Sequence, residues 1–193
     1  MTLDPTLFVP ILLMMFASLI LIWGINWRWL MIAIILQYLG VFWLVFQNWS
    51  LGLSLVKVVV GLVSGGVLVS SLVTEKDDAL HTERLGLIFK SLVMVFVWTI
   101  IYFILPSIEL WLDIDRMVLL GAMVLVGSGL VQLGLTVIPI RTAIGLLTFL
   151  AGFEVLYSAL ISSVLLAGLL AAVNLGIALA GVYLGTINLR ELD

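Results

Sequence analysis

The chain has no cysteine and a single histidine, His81, in 193 residues. The first absence excludes disulfides, thiolate metal sites, iron–sulfur ligation and cysteine catalysis. The second excludes a multi-histidine metal site and a haem held by two histidines. Charge is scarce as well. Eight residues are Lys or Arg and 11 are Asp or Glu, for a net charge of -3, and no basic patch points to nucleic acid. A soluble domain needs far more charge to cover its surface. No hydrolase triad, phosphate loop or paired-carboxylate metal site is present. Gly127-Ser128-Gly129 lacks the strand and acidic partner of a dinucleotide fingerprint. No cofactor, no metal and no catalytic centre of the chain's own is expected.

What is there is apolar. Hydrophobic residues make up 64% of the chain, and the mean hydropathy is +1.37. The solvent for most of these side chains must be lipid. A span needs roughly 20 apolar residues at a 1.5 Å rise each. The pattern predicts an all-α, polytopic transmembrane bundle with helices near 7–25, 29–47, 51–73, 86–105, 117–137, 143–164 and 167–188. The first run lacks the basic leader and small-residue cleavage site of a signal peptide. Trp27, Arg28 and Trp29 follow it as an interfacial anchor, so it is read as a span. Ala143 to Ile187 is one apolar stretch, roughly 67 Å long as a single helix, so it must fold back. Ser162, Ser163 and the Ala167-Gly168 pair mark the expected turn. Six spans with a re-entrant segment also satisfy the pattern.

The basic residues sort by side. Arg28, Lys76, Arg84, Arg141 and Arg190 all fall on one side of seven spans. Only Arg116 falls on the other, beside Glu109, Asp113 and Asp115. The positive side is expected to be cytoplasmic, with the N-terminus outside and the C-terminus inside. Trp23, Trp27 and Trp29 then belong to an inner aromatic belt, and Trp49 and Trp111 to an outer one. Gly61 and Gly65 form a small-xxx-small pair suited to close helix packing.

The informative positions are polar groups inside the spans. A charge at the bilayer centre costs at least about 2.5 kcal/mol. Glu154 lies about 11 residues into the sixth predicted helix, roughly 17 Å from its start, and its helix holds no Lys or Arg in reach. It is either a proton-relay carboxyl or a permanently neutral one that hydrogen-bonds a neighbouring helix. Lys57 lies roughly 9 Å from the outer end of the third. It either snorkels outward or partners a carboxylate. Lys90, near the inner end of the fourth, is placed for snorkelling. Gln37, Gln132 and Asn174 are expected to hydrogen-bond between helices. If the chain reverses near Ser163, Glu154 and Asn174 share a depth, and an amide beside a carboxyl makes a water-binding or relay pair.

These residues carry a resemblance. Gly152-Phe153-Glu154-Val155-Leu156 and Ala171-Ala172-Val173-Asn174-Leu175-Gly176-Ile177-Ala178-Leu179 resemble subunit K of NADH–quinone oxidoreductase and its small counterpart in multisubunit sodium/proton antiporters. Over most of its length the chain looks more like hydrogenase-4 component E. That component has the same residue types as Arg28 followed by Gln37, Lys57, and Arg141 followed by Glu154. The resemblance implies four N-terminal helices over 1–116 and a subunit K-like three-helix unit over 117–193. It also implies a multi-pass subunit of the inner (plasma) membrane that carries no redox cofactor. Its partners would be antiporter-like and other membrane subunits of an ion-translocating assembly, moving protons or sodium. Glu154 would be the central relay residue, with Lys57 tuning it and Gln37, Gln132 and Asn174 as polar support. The family usually has a second glutamate where this chain has Asn174, a departure that weakens a two-carboxylate relay. The rivals are a stand-alone small transporter or channel, for which no inverted repeat is found, and a purely structural scaffold subunit.

Overall fold

The computed structural model describes residues 8–24, 26–72, 84–112, 114–161 and 163–190. Its described residues form seven helices: α1 (Phe8–Trp23), α2 (Trp27–Phe46), α3 (Leu51–Leu72), α4 (Arg84–Glu109), α5 (Arg116–Gly134), α6 (Pro139–Leu160) and α7 (Val164–Arg190). No strand occurs among them. The fold is an all-α bundle, as the hydropathy predicts. Helices α2 to α7 are each long and apolar enough to cross a bilayer; α1, at 16 residues, is apolar but shorter. The charged stretch 74–83, with Lys76 and His81, lies outside the described residues, as do Asp113, Ser162 and the last three positions.

Three boundaries differ from expectation, each for a local reason. Helix α6 begins at Pro139 rather than Ala143, because proline is preorganised for the first helical position and gives up only an amide that has no intrahelical acceptor. The reversal falls between Leu160 and Val164, so Ala167 and Gly168 lie inside α7 rather than in the turn. Helix α4 runs through Pro106 to Glu109; a proline in the last turn of a lipid-facing helix frees only one carbonyl from the ladder. Between α4 and α5, the Asp115 carboxylate caps α5 by accepting from the amides of Met117 (2.9 Å) and Val118 (3.4 Å). Glu109 meets Arg116 at 3.8 Å across the same turn.

Glycine sets the closest helix approaches. Helices α5 and α6 pack so tightly that a methyl at Gly152 would stand 2.7 Å from the Ala122 carbonyl oxygen and from the Val126 amide nitrogen. Gly61 and Gly65 press on Tyr38 and Ile34 of α2, the packing their spacing predicts. Helix α7 buries a stripe of Ala167, Leu170, Asn174, Ala178, Gly181 and Gly185 against α3 and α6 and leaves most of its other side chains outward. The main apolar core runs without interruption from α1, α2 and α3 into α5, α6 and α7. Helix α4 joins the bundle along Met94, Trp98 and Ile101 against α1 and α5, and exposes Phe89, Leu92, Phe96 and Phe103 on its other face. Trp49 departs from the belt expectation: it is buried and packs edge-on against Tyr157 of α6.

Candidate functional site

Helix α3 buries Ser54, Lys57, Gly61, Ser64 and Leu68, a run spaced by three and four that marks one face of a helix. That face meets α2, α6 and α7. Lys57 is the one cation on it. Its depth is about six residues, or roughly 9 Å, from the start of α3. Glu154 lies six residues before the end of α6 and so at the same depth in the bundle. Because α6 starts at Pro139, Glu154 is roughly 22 Å from that start and nearer the opposite end than the predicted boundary implies.

The two side chains meet. Lys57 Nζ donates to Glu154 Oε1 at 2.8 Å and to the Ala167 carbonyl of α7 at 3.4 Å. Asn174 Nδ2 donates to the same carboxylate oxygen at 3.0 Å. Lys57 and Glu154 are each 2% exposed and Asn174 is 1% exposed. Three helices therefore converge on one oxygen, and the lysine does not snorkel. Glu154 finds its counter-charge not on its own helix but on α3.

Gln37 of α2 lies on the same side of α6 but one step away. Its Nε2 donates to Thr148 Oγ1 at 3.2 Å; that hydroxyl can in turn donate to the Ile144 carbonyl at 3.0 Å. Thr148 is six residues, roughly 9 Å, from Glu154 along α6. Gln132 of α5 lies further off. Its Cβ packs where Gly145 has no side chain, at 3.2 Å from a Cβ built there, which is roughly 14 Å from Glu154 along the helix. Of the five residues singled out from sequence, Lys57, Glu154 and Asn174 share one site, Gln37 stands beside it through Thr148, and Gln132 is elsewhere.

Tyr38 escaped sequence reasoning. Its ring fills the notch at Gly61, one turn past Lys57. Among the described residues its buried hydroxyl has no protein partner. The only local hint was two polar groups in succession, Gln37 and Tyr38, in a helix that is apolar beyond Arg28 in its first turn. Asn174 Oδ1 is likewise buried without a partner. Among the described residues no three His, Asp or Glu side chains converge as metal ligands would.

The arrangement can hold a charge pair away from lipid and keep one carboxylate oxygen under three constraints: an ammonium, an amide and the geometry of α6. Among the described residues, the Tyr38 hydroxyl and Asn174 Oδ1 keep no partner of their own. The bundle is that of a multi-pass membrane protein, with six helices capable of spanning a bilayer. No family model matches the chain, and neither a curated protein nor a solved structure does.

Proposed function

We propose that the chain is a small membrane subunit of an ion-translocating assembly of the hydrogenase-4 or complex-I kind, and that Lys57 and Glu154 form one step of its proton (or sodium) path. The observation that carries this reading is the 2.8 Å contact between two 2%-exposed charged side chains inside an apolar bundle. A buried ion pair adds little to stability over a well-packed apolar pair, because desolvation offsets the attraction. Ionisable residues inside a membrane are expensive and are by default functional. At 2.8 Å a proton can pass from Nζ to Oε1, turning an ionic pair into a neutral one with no change in net charge. A second proton can then reach the amine, and the carboxyl can release the first. Asn174 borders that oxygen and Tyr38 fills the notch at Gly61, one turn past Lys57; both would relay through water without themselves carrying charge. Gln37 and Thr148 extend the polar line toward the start of α6.

The role also fits the surface. The outward faces of α4 and α7 are broad and apolar, as a subunit between lipid and larger neighbours requires. Antiporter-like subunits are the partners this reading names, and the orientation it adopts is N-terminus outside and C-terminus inside.

The test uses the tagged chain purified with its native assembly, reconstituted in liposomes and energised with its electron donor. Internal acidification is followed with a pH-sensitive dye. Glu154→Gln is expected to lose most of the acidification while the assembly and its electron transfer persist. Full acidification by that variant would sink the relay and leave a scaffold role. Acidification by the chain purified alone would point to a stand-alone transporter instead.

A further inference from the structure

A second polar cluster lies at the end of the bundle where α1 and α5 finish and α4 and α6 begin. Lys90 stands on the second turn of α4, Gln132 near the end of α5 and Arg141 in the first turn of α6. The three converge on one pocket floored by Leu21, Ile22 and Ile144, with space of about 20 Å³, room for a single water-sized atom. None of these groups touches the Glu154 site.

The balance of donors and acceptors decides what this pocket can hold. Arg141 Nη2 donates to the Gly24 carbonyl at 3.2 Å, but its buried Nε has no protein partner among the described residues. Gln132 is 5% exposed, and its Nε2 is also buried without one. Among the described residues Lys90 makes no hydrogen bond and no ion pair, and no carboxylate pairs with Arg141. Lys90 and Arg141, both cations, instead line the same pocket. Two cations and a buried amide thus present donors to one small space, whose lining, with Thr136 the one other polar side chain, holds no acid among the described residues. An unpaired buried donor is costly, and two like charges add to that. The backbone is shaped around the guanidinium as well. Gly24 has φ +56°, and a side chain there would press on Arg141 at 2.9 Å.

We propose that this pocket binds a phosphate oxyanion, one oxygen seated among Lys90, Gln132 and Arg141 and the rest of the group at the mouth. Arginine and lysine are the side chains that recognise phosphate, and a basic pocket between helix ends is where a membrane protein takes a lipid headgroup. The pocket lies among the ends of α1, α4, α5 and α6, the level at which spanning helices meet headgroups on either orientation of the bundle. Trp23 follows the lining residues Leu21 and Ile22 on α1 and is tied to Ser91 of α4, next to Lys90, by an indole hydrogen bond of 2.8 Å, as an interfacial tryptophan would be.

The experiment reads both sources of phosphate. Delipidated protein is offered phosphatidylglycerol, phosphatidylcholine or inorganic phosphate, with retained lipid counted by native mass spectrometry and thermal stability measured in parallel. Phosphatidylglycerol is expected to be retained over phosphatidylcholine by about tenfold. Lys90→Gln is expected to weaken that retention about fivefold. Gln132→Glu is the deciding variant. Its carboxylate supplies the missing acceptor, so lipid retention should fall while the melting temperature rises. Stabilisation of the wild type by inorganic phosphate to the same degree as by lipid would assign the site to free phosphate. Retention of neither, or full lipid retention by Gln132→Glu, overturns the proposal and leaves the cluster to a carboxylate of the chain or of a neighbouring protein.

Discussion

Lys57 and Glu154 are 97 residues apart in the chain and 2.8 Å apart in the bundle. Each lies six residues from an end of its helix, Lys57 after the start of α3 and Glu154 before the end of α6. The depth match is therefore a consequence of where two helices begin and stop, and each residue offsets the other's cost of burial. Asn174 Nδ2 closes the arrangement at 3.0 Å on the same oxygen.

That mutual dependence gives the first prediction. Lys57→Met leaves Glu154 buried without a counter-charge and is expected to lose about 3 kcal/mol of stability, the range for breaking a buried pair by removing one partner. Lys57→Met combined with Glu154→Leu is expected to lose less than the sum of the two single changes, with a coupling of about 1–3 kcal/mol. Unfolding in mixed detergent micelles, followed by circular dichroism, measures all three. Strict additivity would mean that the two residues do not act as a pair.

A second prediction concerns packing. Gly152→Ala must place a methyl against backbone atoms of α5, which cannot rotate away. Its expected loss is about 1–3 kcal/mol, as for overpacking elsewhere. Gly176→Ala on the outward face of α7 meets nothing within 4 Å and is expected to be neutral or slightly stabilising, since alanine favours helix. Equal effects from the two would show that α5 and α6 are not packed as closely as the structure has them.

Helix existence was legible because apolar runs and their interruptions are local. So was Glu154, whose charge stands out against its neighbours. Its partner was not legible, because a contact between α3 and α6 leaves no trace in the spacing of either. The sequence around Lys57 allows two alternatives, and only the inward turn of the α3 face decides between them. Tyr38 was hidden for a different reason: a tyrosine in an apolar helix looks like core, and only the contact with Gly61 sets it one turn from Lys57 on the inward face of α3. The Lys90, Gln132 and Arg141 cluster was hidden because each has an ordinary explanation alone. Their convergence comes from four helix ends meeting. The hydropathy of the apolar run does not show that the Pro139 ring starts α6, which moves Glu154 off the centre of the helix.

Asn174 separates support from transport. Asn174→Leu removes one hydrogen bond to Glu154 and fills part of the space with apolar atoms. The stability loss is expected to be about 1 kcal/mol, the size of an interhelical hydrogen bond in a membrane. Ion movement by the intact assembly should slow several-fold more than with Asn174→Gln, whose longer amide can still reach the carboxylate. If both variants transported at the wild-type rate, the amide would be a packing element only.

The absence of cysteine makes orientation directly measurable, since any introduced thiol is the only one in the chain. Asn48, in the α2–α3 turn, and Val137, in the α5–α6 turn, are both exposed. The first turn follows an even-numbered helix and the second an odd-numbered one, so in a seven-helix bundle they lie on opposite faces of the membrane. The basic residues sort to the side of Val137, where Arg28 and Arg141 lie. Retention of the positive side in the cytoplasm places Asn48 outside. Asn48→Cys is thus expected to react with an impermeant maleimide on intact cells. Val137→Cys is expected to react only after permeabilisation, although it is 95% exposed in the isolated chain. Reversed labelling would invert the bundle, and labelling of both from outside would require an even number of crossings between the two turns rather than three. Because α1 is the one helix shorter than a full span, a third site just at its start, Phe8→Cys, tests whether α1 crosses. On the seven-span topology it reacts with Asn48→Cys from outside, and on a six-span topology with Val137→Cys from within.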